Sequence, residues 1–215
     1  AQIVGRSDNS FAPLAIHGGL LNGVQHVMPI ASAQVKSSLL IAGINSDGET
    51  TVIEPSESRD HTERLLVSMG AKISTNENRI SVERSLLSAI DINVPGDISS
   101  AAFWIVAGCI HSNARLRVLG VGINPTRAGI ISILKAMGGK LTIENQRVEG
   151  SEPVADIVVE SSQLVGAEID GDVIPRAIDE LPIIALAASL AKGTTVIKNA
   201  KELRVKESDR IMATV

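Results

Sequence analysis

Aromatic side chains are almost missing from this chain: among 215 residues there is no tyrosine, one tryptophan and two phenylalanines. Its core therefore has to be aliphatic, built from Ile, Val, Leu and Ala rather than from stacked rings. Cysteine occurs once, at Cys109, so no internal disulfide can form and a reducing compartment, the cytoplasm, is expected. Cys109 stands in the apolar run 103–110, which reads as a packed thiol rather than a nucleophile. Basic charge is not in excess: 20 Lys and Arg face 24 Asp and Glu, for a formal net charge of −4. That balance leaves no electrostatic footprint for nucleic acid. No apolar run reaches the roughly 18 residues of a membrane span, the longest being 181–191, and no secretory leader pattern opens the chain. Neither nucleic acid nor membrane is an expected partner.

What the chain has instead is a repeat. Residues 24–29 alternate as a strand, and 31–44 have helical spacing with Ser32 as the N-cap. Residues 48–54 read as a strand entered from a turn, 59–69 as an amphipathic helix ended at Gly70, and 71–74 with 79–83 as a hairpin. The order then returns. A strand is expected at 90–94, a helix capped by Asp97 and running to Ile110, and a strand at 114–119. Asn124-Pro-Thr-Arg127 opens a helix that ends at Met137-Gly-Gly, and strands at 140–143 and 156–160 pair across a loop. A third round has a strand at 167–170, a helix over 178–191, a strand at 194–198 and a helix opening at Lys206. Met69-Gly-Ala-Lys-Ile and Met137-Gly-Gly-Lys-Leu stand 68 residues apart at positions 69 and 137, each closing a second helix.

Each unit thus reads β-α-β-α-β-β. The first helix of each is apolar nearly all round, and a helix without a polar face is buried on all sides. Helices are expected inside and sheets outside, an α/β class made of α+β repeats. The third unit lacks its closing hairpin, so the chain reads as cut from something longer.

Residues 201–210 carry four cations and three carboxylates. If Lys206 opens a helix, Lys206 and Arg210 share one face with Glu207 beside them. Cations in a first helical turn oppose the macrodipole, a conflict that a bound anion removes. Four clusters stand where a strand hands over to a helix. They are Ser32-Ala-Gln-Val-Lys36, Arg59-Asp-His-Thr-Glu63, Asn124-Pro-Thr-Arg127, and Ile178-Asp179-Glu180 taken with Lys206-Glu207-Ser-Asp-Arg210. Each offers a hydroxyl, amide or cation at a helix N-terminus. If they converge on one cleft, they suit a polyanionic ligand. Singly, each reads as a cap or a surface charge. His17, His26, His61 and His111 read as structural or exposed.

Several of these motifs carry a resemblance. Val94-Pro-Gly-Asp-Ile-Ser-Ser-Ala-Ala, Asn124-Pro-Thr-Arg, Gly150-Ser-Glu-Pro-Val-Ala-Asp and Glu202-Leu-Arg-Val-Lys-Glu-Ser-Asp-Arg resemble the 5-enolpyruvylshikimate-3-phosphate synthases, over essentially the whole chain. That resemblance implies a two-lobed inside-out α/β barrel with three β-α-β-α-β-β units per lobe. It also implies transfer of the enolpyruvyl group of phosphoenolpyruvate to the 5-hydroxyl of shikimate 3-phosphate, a step of aromatic amino-acid biosynthesis. It implies no cofactor and no metal, and the family is usually monomeric. Matched motif by motif, Ser32, Ala33 and Gln34 would hold shikimate 3-phosphate and Arg59 its phosphate. Asp179 would accept the 5-hydroxyl proton, and Lys206 would touch the same substrate and assist proton transfer. Glu207 would stand near the methylene carbon of phosphoenolpyruvate, and Arg210 would grip that substrate. A hydroxyl attacking an enol carbon while the methylene is protonated needs a base and an acid flanking one ligand. Two phosphates and a carboxylate held together need several cations.

The resemblance assigns residues 1–91 to the third unit of an N-terminal lobe and 92–215 to the first two units of a C-terminal lobe, hinged near 91–96. Ser-Ala-Gln-Val-Lys, Arg-Asp-His-Thr-Glu and Asn-Pro-Thr-Arg also resemble the class II subgroup, associated with glyphosate tolerance. The family's N-terminal Lys-Ser and Asn-x-Gly-Thr segments and its last Arg and Lys do not occur here, so the fragment is expected to be inactive alone. Two alternatives stand beside this reading. One is the enolpyruvyl transferase acting on UDP-N-acetylglucosamine, whose reactive loop cysteine has no counterpart in Cys109. The other is a non-catalytic β-α repeat used for binding.

Overall fold

Turn chemistry marks the beginning of the second strand in every repeat. Gly48, Asn113 and Gly193 all have positive φ, at 84°, 57° and 97°, and glycine and asparagine are the residues that tolerate this conformation. The second helices end alike. Ala71 N–H donates to the Leu66 carbonyl (2.9 Å) and Gly139 N–H to the Leu134 carbonyl (2.7 Å), with Gly70 and Gly138 at φ 96° and 85°. That is a Schellman ending, repeated 68 residues along at positions 71 and 139.

The computed structural model describes residues 2–215, which fall into two units divided between Ile90 and Asp91. In the first unit, β1 (Gln2–Gly5) and β2 (Phe11–His17) make an antiparallel hairpin. Between them Ser7, Asp8 and Asn9 turn the chain with positive φ. Then come β3 (Gln25–Val27), α1 (Ala33–Gly43), β4 (Thr50–Ile53), α2 (His61–Ser68), β5 (Ile73–Asn76) and β6 (Arg79–Val82). Their sheet has the order β3-β4-β6-β5, with β3 parallel to β4 and the other pairs antiparallel. Met28, Leu40, Val52, Leu66, Ile80 and Val82 form its core.

The second unit contains α3 (Ile98–Ile110), β7 (Arg115–Gly122), α4 (Gly129–Ala136), β8 (Lys140–Glu149) and β9 (Glu152–Glu160). It continues with β10 (Glu168–Ile169), the one-turn α5 (Val173–Arg176), α6 (Leu181–Ser189), β11 (Val196–Ile197), a 3₁₀ turn (Lys201–Arg204) and α7 (Arg210–Thr214). Strands β7, β9 and β8 form an antiparallel sheet in that order, and β10 runs parallel to β11. Helix α3 packs on β7, β9 and α6, burying Ile98, Ala102, Ile105, Val106 and Cys109. Arg115–Glu160 (3.2 Å) and Arg117–Glu144 (2.8 Å) ion pairs cross the sheet among exposed positions. The buried carboxylate Asp156 accepts from the Gly120 N–H (3.0 Å) and Asn145 Nδ2 (2.9 Å), beside the register shifts of both ladders. The β-α-β-α-β-β order is complete in the first unit, from β3 to β6, whereas the second unit runs α-β-α-β-β from α3 to β9 without an opening strand.

Four expectations are corrected. The strand at 90–94 does not form. Gly96 alone bridges Val121, in parallel, while Ile92 and Val94 are exposed. The alternation is there, and Pro95 keeps Val94 extended, but no neighbouring backbone pairs with it. The last helix opens at Arg210, not Lys206, because Asp209 Oδ1 accepts the N–H groups of Ile211 and Met212, both at 3.1 Å. Lys206 and Arg210 therefore share no helix face. Strands β8 and β9 are joined by a tight turn with positive φ at Gly150 and Ser151 rather than by a loop. Finally, the apolar helices are not covered all round: Ile41 of α1, Phe103 and Trp104 of α3 and Leu186 of α6 are exposed. An apolar face is buried only where another element reaches it.

Candidate active site

Helix α1 begins at a true cap. Ser32 is extended (φ −130°, ψ 107°) and its Oγ accepts the Val35 N–H at 3.4 Å. Ala33 and Gln34 are the first helical residues, Gln34 exposed, and no carboxylate stands in the first turn. The remaining N–H groups of that turn and the positive end of the helix dipole suit an anion. Arg59 lies partly buried, two residues before α2. Between these segments lies Lys36. Its Nζ pairs with Glu54 Oε2 (3.0 Å) and Glu63 Oε1 (2.6 Å) and donates to the Ser58 carbonyl (3.4 Å), nearly sealed from solvent. Lys36 is thus no cation on offer to a ligand. Ser37 Oγ and Thr62 Oγ1 meet at 2.6 Å and tie α1 to α2.

In the second unit, Arg210 Nη1 donates to Asp179 Oδ1 (2.8 Å) and Nη2 to Glu207 Oε2 (2.6 Å). Asp179 comes from the turn before α6, and Glu207 from the bend before α7. Both partners raise the Arg210 pKa, Asp179 most. Glu207 is held below the usual carboxylate range by its own backbone N–H first and by Arg210 second. Lys206 Nζ pairs with Glu202 Oε1 at 2.5 Å. One guanidinium therefore gathers Asp179 and Glu207, and Lys206 is engaged within its own segment. A partly exposed guanidinium between two carboxylates can exchange either for the carboxylate or phosphate of a ligand.

A neighbouring network escaped the sequence reading. Glu180 is buried, and Ser99 Oγ donates to it. Arg127 Nη2 donates to Ser99 Oγ (2.7 Å) and pairs with Asp97 Oδ1 (3.2 Å). Burial pushes the Glu180 carboxyl up, while Ser99 and Arg127 pull it down. Ser99 was legible only as part of a helix cap, and nothing local linked it to position 180. Asn124 likewise works internally: its Oδ1 accepts from Thr126 N–H (2.9 Å) and Oγ1 (2.8 Å), and its Nδ2 donates to Glu152 (3.0 Å). Among the described residues no group of His, Cys, Asp and Glu is placed to hold a metal, and no helix is long and apolar enough to cross a membrane. His17, His26 and His111 are exposed.

The family model for EPSP synthase (3-phosphoshikimate 1-carboxyvinyltransferase) matches residues 1–215. The chain belongs to the EPSP synthase family. It is 54% identical over 214 residues to a 3-phosphoshikimate 1-carboxyvinyltransferase of Synechococcus elongatus, covering 98% of this chain and 48% of that protein. Identity to the Bacillus subtilis protein of the same name is 52% over 212 residues, covering 98% and 50%. Among solved structures, EPSP synthase from Acinetobacter baumannii superposes with a TM-score of 0.91 at 48% identity, covering 99% of this chain and 48% of that one. The enolpyruvyl transferase NikO of Streptomyces tendae is similar in fold, with a TM-score of 0.57 at 22% identity over 74% of this chain and 37% of its own. The chain spans about half the length of the EPSP synthases it matches.

Proposed function

We propose that this chain supplies part of the active site for transfer of the enolpyruvyl group from phosphoenolpyruvate to the 5-hydroxyl of shikimate 3-phosphate, with release of phosphate. The observation that carries the reading is Arg210, one cation holding a candidate base, Asp179, and a candidate acid, Glu207. The relatives are named for this reaction. Addition joins the 5-oxygen to the central enol carbon as a proton reaches the methylene carbon. Elimination then breaks the carbon–oxygen bond to phosphate, and a proton leaves to restore the double bond. Asp179 takes the hydroxyl proton, and Lys206 assists on the shikimate 3-phosphate side. Arg210 holds phosphoenolpyruvate. Glu207 lies near its methylene carbon, and its carboxyl holds a proton more readily once the ligand replaces it on Arg210, because that guanidinium, after the backbone N–H of Glu207 itself, favours the charged form. Ser32, Ala33, Gln34 and Arg59 bind shikimate 3-phosphate through the α1 N-terminus and the Arg59 cation.

In this reading residues 1–91 are the third unit of an N-terminal lobe and 92–215 the first two of a C-terminal lobe. The two partners are the substrates, the protein is monomeric, and the reaction runs in the cytoplasm, which suits a chain with one buried thiol. Titration calorimetry with shikimate 3-phosphate, then phosphoenolpyruvate, tests it. Saturable binding of the first is expected. Its absence, or preference for a UDP-sugar, overturns the reading.

A further inference from the structure

The cluster around Lys36 has a geometry that charge neutralisation alone does not require. Lys36 is the fourth residue of α1, one turn after Ser32, whose carbonyl accepts the Lys36 N–H at 3.0 Å. Its ammonium reaches three points on the chain that leads to Arg59 and beyond. It meets Glu54 just past β4 (3.0 Å), the Ser58 carbonyl next to Arg59 (3.4 Å) and Glu63 in the first turn of α2 (2.6 Å). Ser58 Oγ in turn donates to Glu54, and the Ser37–Thr62 hydroxyl contact adds a further tie between the helices. A single buried ammonium with three donors thus fixes where β4 ends, how residues 54–60 run and where α2 starts, all relative to the first turn of α1. Glu63 is tolerated in this site partly because a carboxylate at a helix N-terminus faces the positive end of the dipole. A buried ion pair is weak evidence for stability but can specify one geometry over others.

We propose that Lys36, with Glu54 and Glu63, is the positioning device of the phosphate-binding side: it sets the distance between the α1 N-terminus, carrying Ser32, Ala33 and Gln34, and Arg59. None of the three touches ligand. Each acts through the segments it clamps. This rests on the reading of Ser32–Gln34 and Arg59 as shikimate 3-phosphate contacts.

The test compares the 215-residue chain with a triple variant, K36M/E54Q/E63L, which replaces the buried charges by groups of similar volume and leaves no lone charge in the core. Folding is followed by circular dichroism and amide dispersion, and affinity by titrating shikimate 3-phosphate against the amide resonances of residues 32–34 and 59. A folded triple variant should bind at least tenfold more weakly, with those amide resonances displaced before ligand is added. A folded variant with affinity within twofold of the parent overturns the proposal while leaving the binding site intact. Should the triple variant not fold, E63Q decides. A threefold or greater loss of affinity supports positioning, and unchanged affinity overturns it. If the unsubstituted chain shows no saturable shift at residues 32–34, the reading of the site falls, and this inference with it.

Discussion

Lys36 in the first unit and Arg210 in the second are each held between two carboxylates, and these two triads differ in almost everything but stoichiometry. Around Lys36 the side chains of Lys36 and Glu54 are each 2% exposed and that of Glu63 10%. Around Arg210 the cation is 24% exposed, Asp179 25% and Glu207 79%. A sealed triad cannot trade a partner for a ligand, since an ion would have to enter the core without its water. An open one can, because water and dissolved ions compete for every contact. The same arithmetic of charge therefore makes a scaffold in one place and a candidate reaction centre in the other.

The hardest test of that contrast is K36M alone, which leaves Glu54 and Glu63 buried without a cation. It should cost about 3–5 kcal/mol of folding stability, read from urea unfolding. A cost below about 1 kcal/mol, the range of exposed pairs, would mean that the cluster is as wet as the one around Arg210. R210A should behave oppositely. Its stability should change by no more than about 1 kcal/mol, while calorimetric affinity for phosphoenolpyruvate in the presence of shikimate 3-phosphate falls at least tenfold. Equal losses in both measurements would erase the distinction.

Two smaller effects sharpen it. D97A removes the oxygens that cap α3, bonded to the N–H groups of Ser99 (3.2 Å) and Ser100 (3.1 Å), and should cost about 1 kcal/mol in thermal unfolding. Glu180 is an intermediate case, buried but bonded to Ser99 and near Arg127. Its folded-state pKa is raised, so the folded chain holds this proton to higher pH than the unfolded chain does. Its contribution to stability is full below the ordinary carboxyl pKa and is lost as pH rises through the raised value. E180Q should flatten that decline in a series of denaturation midpoints against pH. Asp209, lowered by the Met212 N–H above all, predicts the opposite slope: its contribution is present above the ordinary carboxyl range and lost as pH falls.

Local chemistry was legible where its partners lie within a turn. Ser32 and Asp97 cap the helices that their sequences announce, and the Met-Gly endings at 69 and 137 close theirs. The strand expected at 90–94 has the right alternation and fails for want of a partner, which no pattern within those residues could disclose. Lys36 looked like a cation presented at a helix start, yet Glu54, eighteen residues away, takes it into the core. Lys206 looked like the opening of a helix, but Asp209 supplies a better cap three residues later. Of the candidate site, the residue types were readable throughout. Asp179 was grouped there with Glu207 and Arg210, but the contacts by which Arg210 holds both carboxylates were not readable, because one of them joins segments 31 residues apart.

By itself the sequence determined the repeat, most helix boundaries and the family, since these rest on periodicity, caps and motifs read over a few residues. Only the tertiary structure decided which charges are withdrawn from water and which stay within reach of a ligand. Burial is a property of what packs around a side chain, and the elements that pack around Lys36 and leave Arg210 open come from distant parts of the chain.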